Sequence, residues 1–146
     1  MSMSNVGNRI VKRVLLALAV CAVAVGVGTA SAAVRDNGYL IFQTSRDSNG
    51  TQITAAKAPL RPSCAACHGA SGAGGVHLPG GAVSADLRHK ALVLGEKHPY
   101  TVALLERAIS TGIDNDGQPL DPVMPRWKLS KNDLHDVATY VFNELK

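Results

Sequence analysis

Cys64, Cys67 and His68 are the residues of this 146-residue chain whose types and spacing most clearly imply chemistry. They stand as Cys64-Ala65-Ala66-Cys67-His68, two thiols separated by two alanines with an imidazole directly after the second. A dithiol redox couple would run on into a helix, but Gly69-Ala70-Ser71-Gly72 follows, a poor helix former. A zinc site needs four ligands; three are present, and His77 is not spaced like a finger partner. A plain disulfide has no use for His68. The remaining chemistry is covalent haem attachment. Cys64 and Cys67 form thioethers to the two vinyl groups of one haem, and His68 lies under the iron as proximal ligand.

A second axial ligand is expected C-terminal to that motif. Met124, 56 residues after His68, is the one methionine beyond the N-terminal region. A neutral thioether favours ferrous iron and raises the potential. A lone methionine is otherwise a filler of core gaps, but the setting of Met124 argues against that. Gly117, Pro119, Pro122 and Pro125 mark a loop. Pro125 biases Met124 towards extended backbone, and a stiff loop holds a sulfur at low entropic cost. The rival ligands are His77, His89, His98 and His135, with His77 the strongest because it sits in the loop that must wrap the haem. Trp127, the only tryptophan, is expected against the haem edge, where its indole N–H, with Arg126 or Tyr100, reaches a propionate.

The N-terminal region carries a different signal. Arg9, Lys12 and Arg13 precede an uncharged run from Val14 to Val34 that closes on the small residues Thr29-Ala30-Ser31-Ala32-Ala33. This pattern predicts a secretory signal peptide over residues 1–32, with cleavage after Ala30-x-Ala32 and a haem domain over 33–146. The alternative is an uncleaved anchor, since the run is long enough to span a bilayer. Cys21 leaves with the leader. The mature chain then holds 12 Lys+Arg against 11 Asp+Glu, so no cationic stripe remains for nucleic acid. Export and covalent haem support each other, because attachment is made outside the cytoplasm. The predicted location is the periplasm. The length allows one small domain and excludes barrels and doubly wound sheets.

Several elements must position these groups. Residues 36–42 read as a short helix with Tyr39 and Phe42 on one face. Asn49-Gly50 signals a tight turn, with Gln52-Ile53-Thr54 as one strand of a small hairpin. Gly69 to Gly81 holds six glycines, as expected where backbone passes close to a flat macrocycle. Leu78-Pro79 is the candidate for the carbonyl that orients His68. A short helix is expected over 91–95. A longer one runs from Pro99 to Ser110, with Pro99 at its first position and Gly112 past its end. Asp114-Asn115-Asp116-Gly117 reads as a side-chain-capped turn, not a calcium loop. Ser130 and Asp133 form a capping box that opens a closing helix, with Leu134, Val137, Ala138, Val141 and Leu145 on one face.

From Gly38 onward the chain resembles the class I c-type cytochromes. The resemblance rests on Cys64-Ala65-Ala66-Cys67-His68-Gly69, Gly112-Ile113-Asp114-Asn115-Asp116-Gly117-Gln118-Pro119-Leu120, Met124-Pro125-Arg126-Trp127, Leu129-Ser130, Asp133-Leu134 and Val137-Ala138-Thr139-Tyr140-Val141. It implies an all-α fold of three to five short helices around one covalent haem c. It also implies that Gly38 lets the first helix cross the last near Tyr140. The expected role is a periplasmic carrier of single electrons and not an enzyme. It would be a monomer that meets a redox donor and acceptor transiently and touches a membrane only through a retained leader. Two alternatives stay open: a haem c subunit of a larger periplasmic dehydrogenase or oxidase complex, and a gas-binding haem sensor with an open sixth position. One departure is clear. Residues 43–63 separate the first helix from the haem motif and look like an insertion that carries a small hairpin.

Overall fold

A computed structural model describes residues 36–57, 59 and 61–146. The leader expected over 1–32 lies outside them. Among the described residues no helix is long and apolar enough to cross a membrane.

Helix α1 covers residues 36–44 of the described chain. It buries Ile41 and Phe42, the latter completely. Tyr39 does not share that face fully; it is 49% exposed and sets its ring edge-on to Tyr140 at 5.8 Å. The two rings differ because the polar Tyr39 hydroxyl end stays wet while Phe42 has none to hydrate. Gly38 makes the crossing with the closing helix, as the resemblance implies. A Cβ there would lie 2.3 Å from the Asp136 carbonyl oxygen. Beside it, the buried Asn37 amide donates to the Asp133 carboxylate at 3.0 Å and to that of Asp136 at 2.7 Å. Its own oxygen accepts from the Ser48 amide at 2.7 Å, so one buried polar side chain joins three segments with its donors and acceptor used.

The insertion begins with the expected turn. The Gly50 amide donates to the Asp47 carbonyl, and Asp47 Oδ1 accepts from the amides of Asn49 and Thr51. Arg46 and Gln52 pair across it as a single antiparallel bridge. Beyond that the segment departs from a local hairpin. Strand β1, Thr54–Ala55, pairs antiparallel with strand β2, Trp127–Lys128, in the register Thr54 to Lys128 and Ala55 to Trp127. The Ala56 amide extends the ladder by donating to the Arg126 carbonyl at 2.8 Å. The insertion therefore straps the segment that follows Met124.

Helix α2 is the haem motif itself, Cys64–His68, capped by Ser63, whose hydroxyl accepts from the Ala66 amide at 3.2 Å. Helix α3 spans Val102–Thr111. It starts three residues later than expected from Pro99. Thr101 takes the cap because its extended backbone lets its hydroxyl accept from the Leu104 amide at 3.2 Å. Gly112 ends α3 in the left-handed conformation, as its position predicts. Before α3, Lys90–Leu94 forms a wide π-helical turn, closed by the Gly95 amide on the Lys90 carbonyl. The short helix expected at 91–95 is thus present, one residue earlier and wider. Helix α4, Lys131–Glu144, opens with the Ser130 cap and packs on α3. Val137, Ala138 and Val141 of α4 meet Ile41, Phe42, Leu92, Leu105 and Trp127 in the core, with Leu145 closing it just past the helix end.

Within the glycine-rich stretch, two glycines make close approaches to other parts of the chain. A Cβ on Gly74 would lie 2.3 Å from the Ala85 carbonyl oxygen, and one on Gly72 would meet Leu145 at 2.6 Å. Gly75, Gly80 and Gly81 have no described protein atom within 4 Å of an added Cβ, and all three adopt positive φ angles, which favour glycine.

Candidate functional site

Six separate stretches of chain wall one cleft, with a cavity volume of about 260 Å³. Helix α2 contributes Cys64, Cys67 and His68; the 78–87 segment contributes Leu78, Ala82, Val83, Ala85 and Leu87. The core helices add Phe42, Leu105, Ala108, Ile109, Val137 and Val141, the loop before β2 adds Leu120, Met124 and Pro125, and β2 adds Trp127. The lining is overwhelmingly apolar. The charged residues that touch it are Arg61, Asp86, Glu96 and Asp121.

His68 is buried, with 8% of its surface exposed. Its Nδ1–H donates to the Ala85 carbonyl at 2.8 Å. This bond fixes the ring orientation and tautomer and leaves Nε2 unprotonated, with its lone pair available to a metal. Burial lowers the His68 pKa and the Ala85 bond partly opposes that shift, so the imidazole is held neutral, the form a metal requires. The orienting carbonyl belongs to Ala85 and not to Leu78 or Pro79. The reason is the close pass that Gly74 allows, which brings the Ala85 peptide down onto α2. Ser84 secures the same contact. Its hydroxyl donates to the Cys67 carbonyl at 2.8 Å and accepts from the Val76 amide at 3.0 Å.

Cys64 and Cys67 are unpaired, half-buried thiols. Burial pushes Cys64 up to about 12 and raises Cys67 as well, though Arg61 partly offsets the rise at Cys67. A reactive dithiol needs the opposite shift, so the environment disfavours thiol–disulfide chemistry. A zinc reading finds no support either. Among the described residues no three His, Cys, Asp or Glu side chains gather as a metal site.

Three of the rival ligands, His89, His98 and His135, have side-chain partners elsewhere. His77 is exposed on a bridge to Val83. His89 donates to the Phe142 carbonyl at 3.1 Å and stacks edge-on against that ring. His98 pairs with Asp116, and His135 with Glu106. None of the four lines the cleft, whereas Met124 does. Trp127 lies 5% exposed in the cleft wall, with its backbone in β2. Tyr100 lines the cleft too, its phenol raised by burial. The Arg126 guanidinium donates to the carbonyls of Leu120, at 2.8 Å, and Met124. Sequence reasoning missed Ala85, Ser84 and the bracing role of Arg126. The first two act through main-chain contacts that leave no residue-type signal; the third is a charge beside a predicted ligand, a signal that does not name its carbonyl partners.

An imidazole with one free nitrogen, a thioether, two thiols one helical turn apart and a long apolar cleft suit a flat, apolar macrocycle around iron. The fold and the cleft thus fit a helical protein with a covalently attached haem. The chain belongs to the cytochrome c family, whose model matches residues 48–143. Helix α1 precedes the matched range. No curated relative and no solved structure matches the chain. Membership carries with it covalently bound haem c as cofactor and electron carriage as general role.

Proposed function

We propose that this protein is an exported monohaem carrier of single electrons working in the periplasm. Cys64 and Cys67 would hold haem c by thioether bonds, and His68 and Met124 would be the ligands of its iron. The observation that carries the reading is that His68 and Met124, far apart in sequence, line one apolar cleft, with His68 Nδ1 already committed to Ala85. When bound, haem supplies a one-electron iron couple. His68 presents Nε2, and the Ala85 bond keeps the ring from turning. Met124 supplies a neutral sulfur, which raises the potential. Phe42, Leu105, Trp127 and Val137 keep water out, and Trp127 forms part of the wall against the cofactor. With both ligands in place, little moves when an electron arrives, and transfer is fast.

The leader over 1–32 supports export and leaves 33–146 as the haem domain. Donor and acceptor are redox proteins that meet the protein transiently. Val83, 53% exposed and part of the cleft lining, marks the edge where such contact is made. The protein acts as a monomer, and its near-neutral mature charge argues for small, mixed-charge encounters. Membrane contact is confined to a retained leader.

An optical redox titration of holoprotein from an oxidising compartment tests this reading. The expected result is one reversible one-electron step at positive potential with a low-spin spectrum throughout. A high-spin form, or a strongly negative potential, would remove Met124 as ligand and favour a sensor with an open sixth position.

A further inference from the structure

Arg126 follows the Met124-Pro125 pair directly, yet it is not a surface charge looking for an acid. Among the described residues its hydrogen-bond partners are all main-chain carbonyls. Nη2 donates to Leu120 at 2.8 Å, Nη1 donates to Met124, and a longer contact of 3.4 Å reaches Asp121. One planar fork thus spans the loop that carries Met124, which a lysine, a point charge on a flexible stem, cannot do.

The fork also has a seat. The guanidinium lies on Gly112, where a Cβ would come within 1.8 Å of Nε. Gly112 therefore serves twice, ending α3 at positive φ and leaving room for Arg126. Its carbonyl accepts from the Leu120 amide at 2.8 Å, which ties the start of the loop to the same point. The Arg126 carbonyl accepts from Ala56, so the insertion holds the far end. Met124 itself adds only one local bond, its amide to the Asp121 carbonyl at 3.0 Å.

We propose that Arg126 is a positioning residue for the Met124 sulfur: it clamps residues 120–124 onto Gly112 and so keeps the thioether from leaving the iron. This rests on Met124 as axial ligand. Charge-assisted bonds to two carbonyls are lost together when the fork is removed, and the loop then opens without unfolding the helices.

The test uses ferric holoprotein of wild type, Arg126→Lys and Arg126→Gln. The sulfur-to-iron charge-transfer absorption is followed as pH rises, alongside hydrogen exchange at the 120–124 amides and global denaturant unfolding. Arg126→Gln should raise the methionine-released population about tenfold at a given pH. Exchange at 120–124 should speed up correspondingly, and Arg126→Lys should fall between. If the glutamine variant yields no holoprotein, the lysine variant decides by the same readouts. The proposal is overturned if the release equilibrium is unchanged, or if the band is lost only in step with global unfolding. Failure of the underlying reading looks different: the band would be absent from wild type, or would persist in Met124→Ala.

Discussion

Replacing Gly38 with alanine sets helix propensity against packing at the α1–α4 crossing. The new Cβ would lie 2.3 Å from the Asp136 carbonyl oxygen and 2.6 Å from Tyr140 Cβ. Both belong to the body of α4, so neither can swing aside like a side-chain tip. Ordinary carbon–carbon contact is about 3.5–4.0 Å, so the helices must part by about 1 Å. Overpacking by a methylene or methyl costs about 1–3 kcal/mol. Parting also loosens Ile41 and Phe42 from the core, placing the cost at the upper end of that range. Alanine recovers about 0.8–1.0 kcal/mol of helix propensity. The expected net is a loss of about 2 kcal/mol. In a domain of this size that lowers Tm by about 10 °C. Thermal unfolding of the holoprotein, followed by far-ultraviolet circular dichroism and by haem absorbance, reads both the fold and the cleft that Phe42 lines. An alanine variant as stable as wild type would refute the close crossing, because propensity would then have won.

Met124→Ala should leave haem attached, lower the potential and open the ferrous iron to carbon monoxide; an unchanged redox titration would contradict its ligand role. Ser84→Ala strands the Cys67 carbonyl and the Val76 amide and should cost about 2 kcal/mol in denaturant unfolding. Loss well under half of that would mean the two groups find other partners. Asn37→Asp replaces a double donor by a third carboxylate beside Asp133 and Asp136. Burial and like charge raise the folded-state pKa of the new group above its unfolded value of about 4. The native state then holds its proton more tightly, so the variant's deficit against wild type is least in acid and grows as pH rises from there. Stability curves that run parallel from pH 3 to 7 would sink this account.

How much of this was legible depended on how local each code was. Ser130 capping α4, Gly112 at the end of α3 and Asp114 capping its own turn are settled within four residues, and all three are as the sequence reads, although the Asp133 carboxylate accepts from the Ser130 hydroxyl and does not close a capping box. Asp114 Oδ1 accepts from the amides of Asp116 and Gln118, which is the turn its residue type predicts. Pro99 misled because a proline fits a first helical turn, whereas the hydroxyl of Thr101 satisfies an amide and therefore fixes the start. The insertion was legible at its turn and in the short Arg46–Gln52 pairing beside it, not in the partner of β1. β1 pairs with a strand that lies on the far side of the haem motif and α3, and two-residue strands carry no periodicity to announce such a partner.

The same distinction explains what sequence could reveal about the site. Ligand candidates are visible because only certain side chains bind iron, so Cys64, Cys67, His68 and Met124 stand out by type and spacing. What holds them is backbone. His68 is oriented by a carbonyl at Ala85, and any residue in that position could supply one. Its placement depends on Gly74 letting the chain pass close, an interaction that looks in sequence like mere loop flexibility. Arg126 was read as a charge in search of a propionate, because a cation near a predicted cofactor invites that pairing. Its fork satisfies carbonyls of the ligand loop, a use that becomes visible only when Gly112 is seen beneath it. The glycines at 74 and 112 are therefore as much a part of the site as the ligands. Each removes a side chain where something else must fit: a peptide carbonyl at one, a guanidinium at the other.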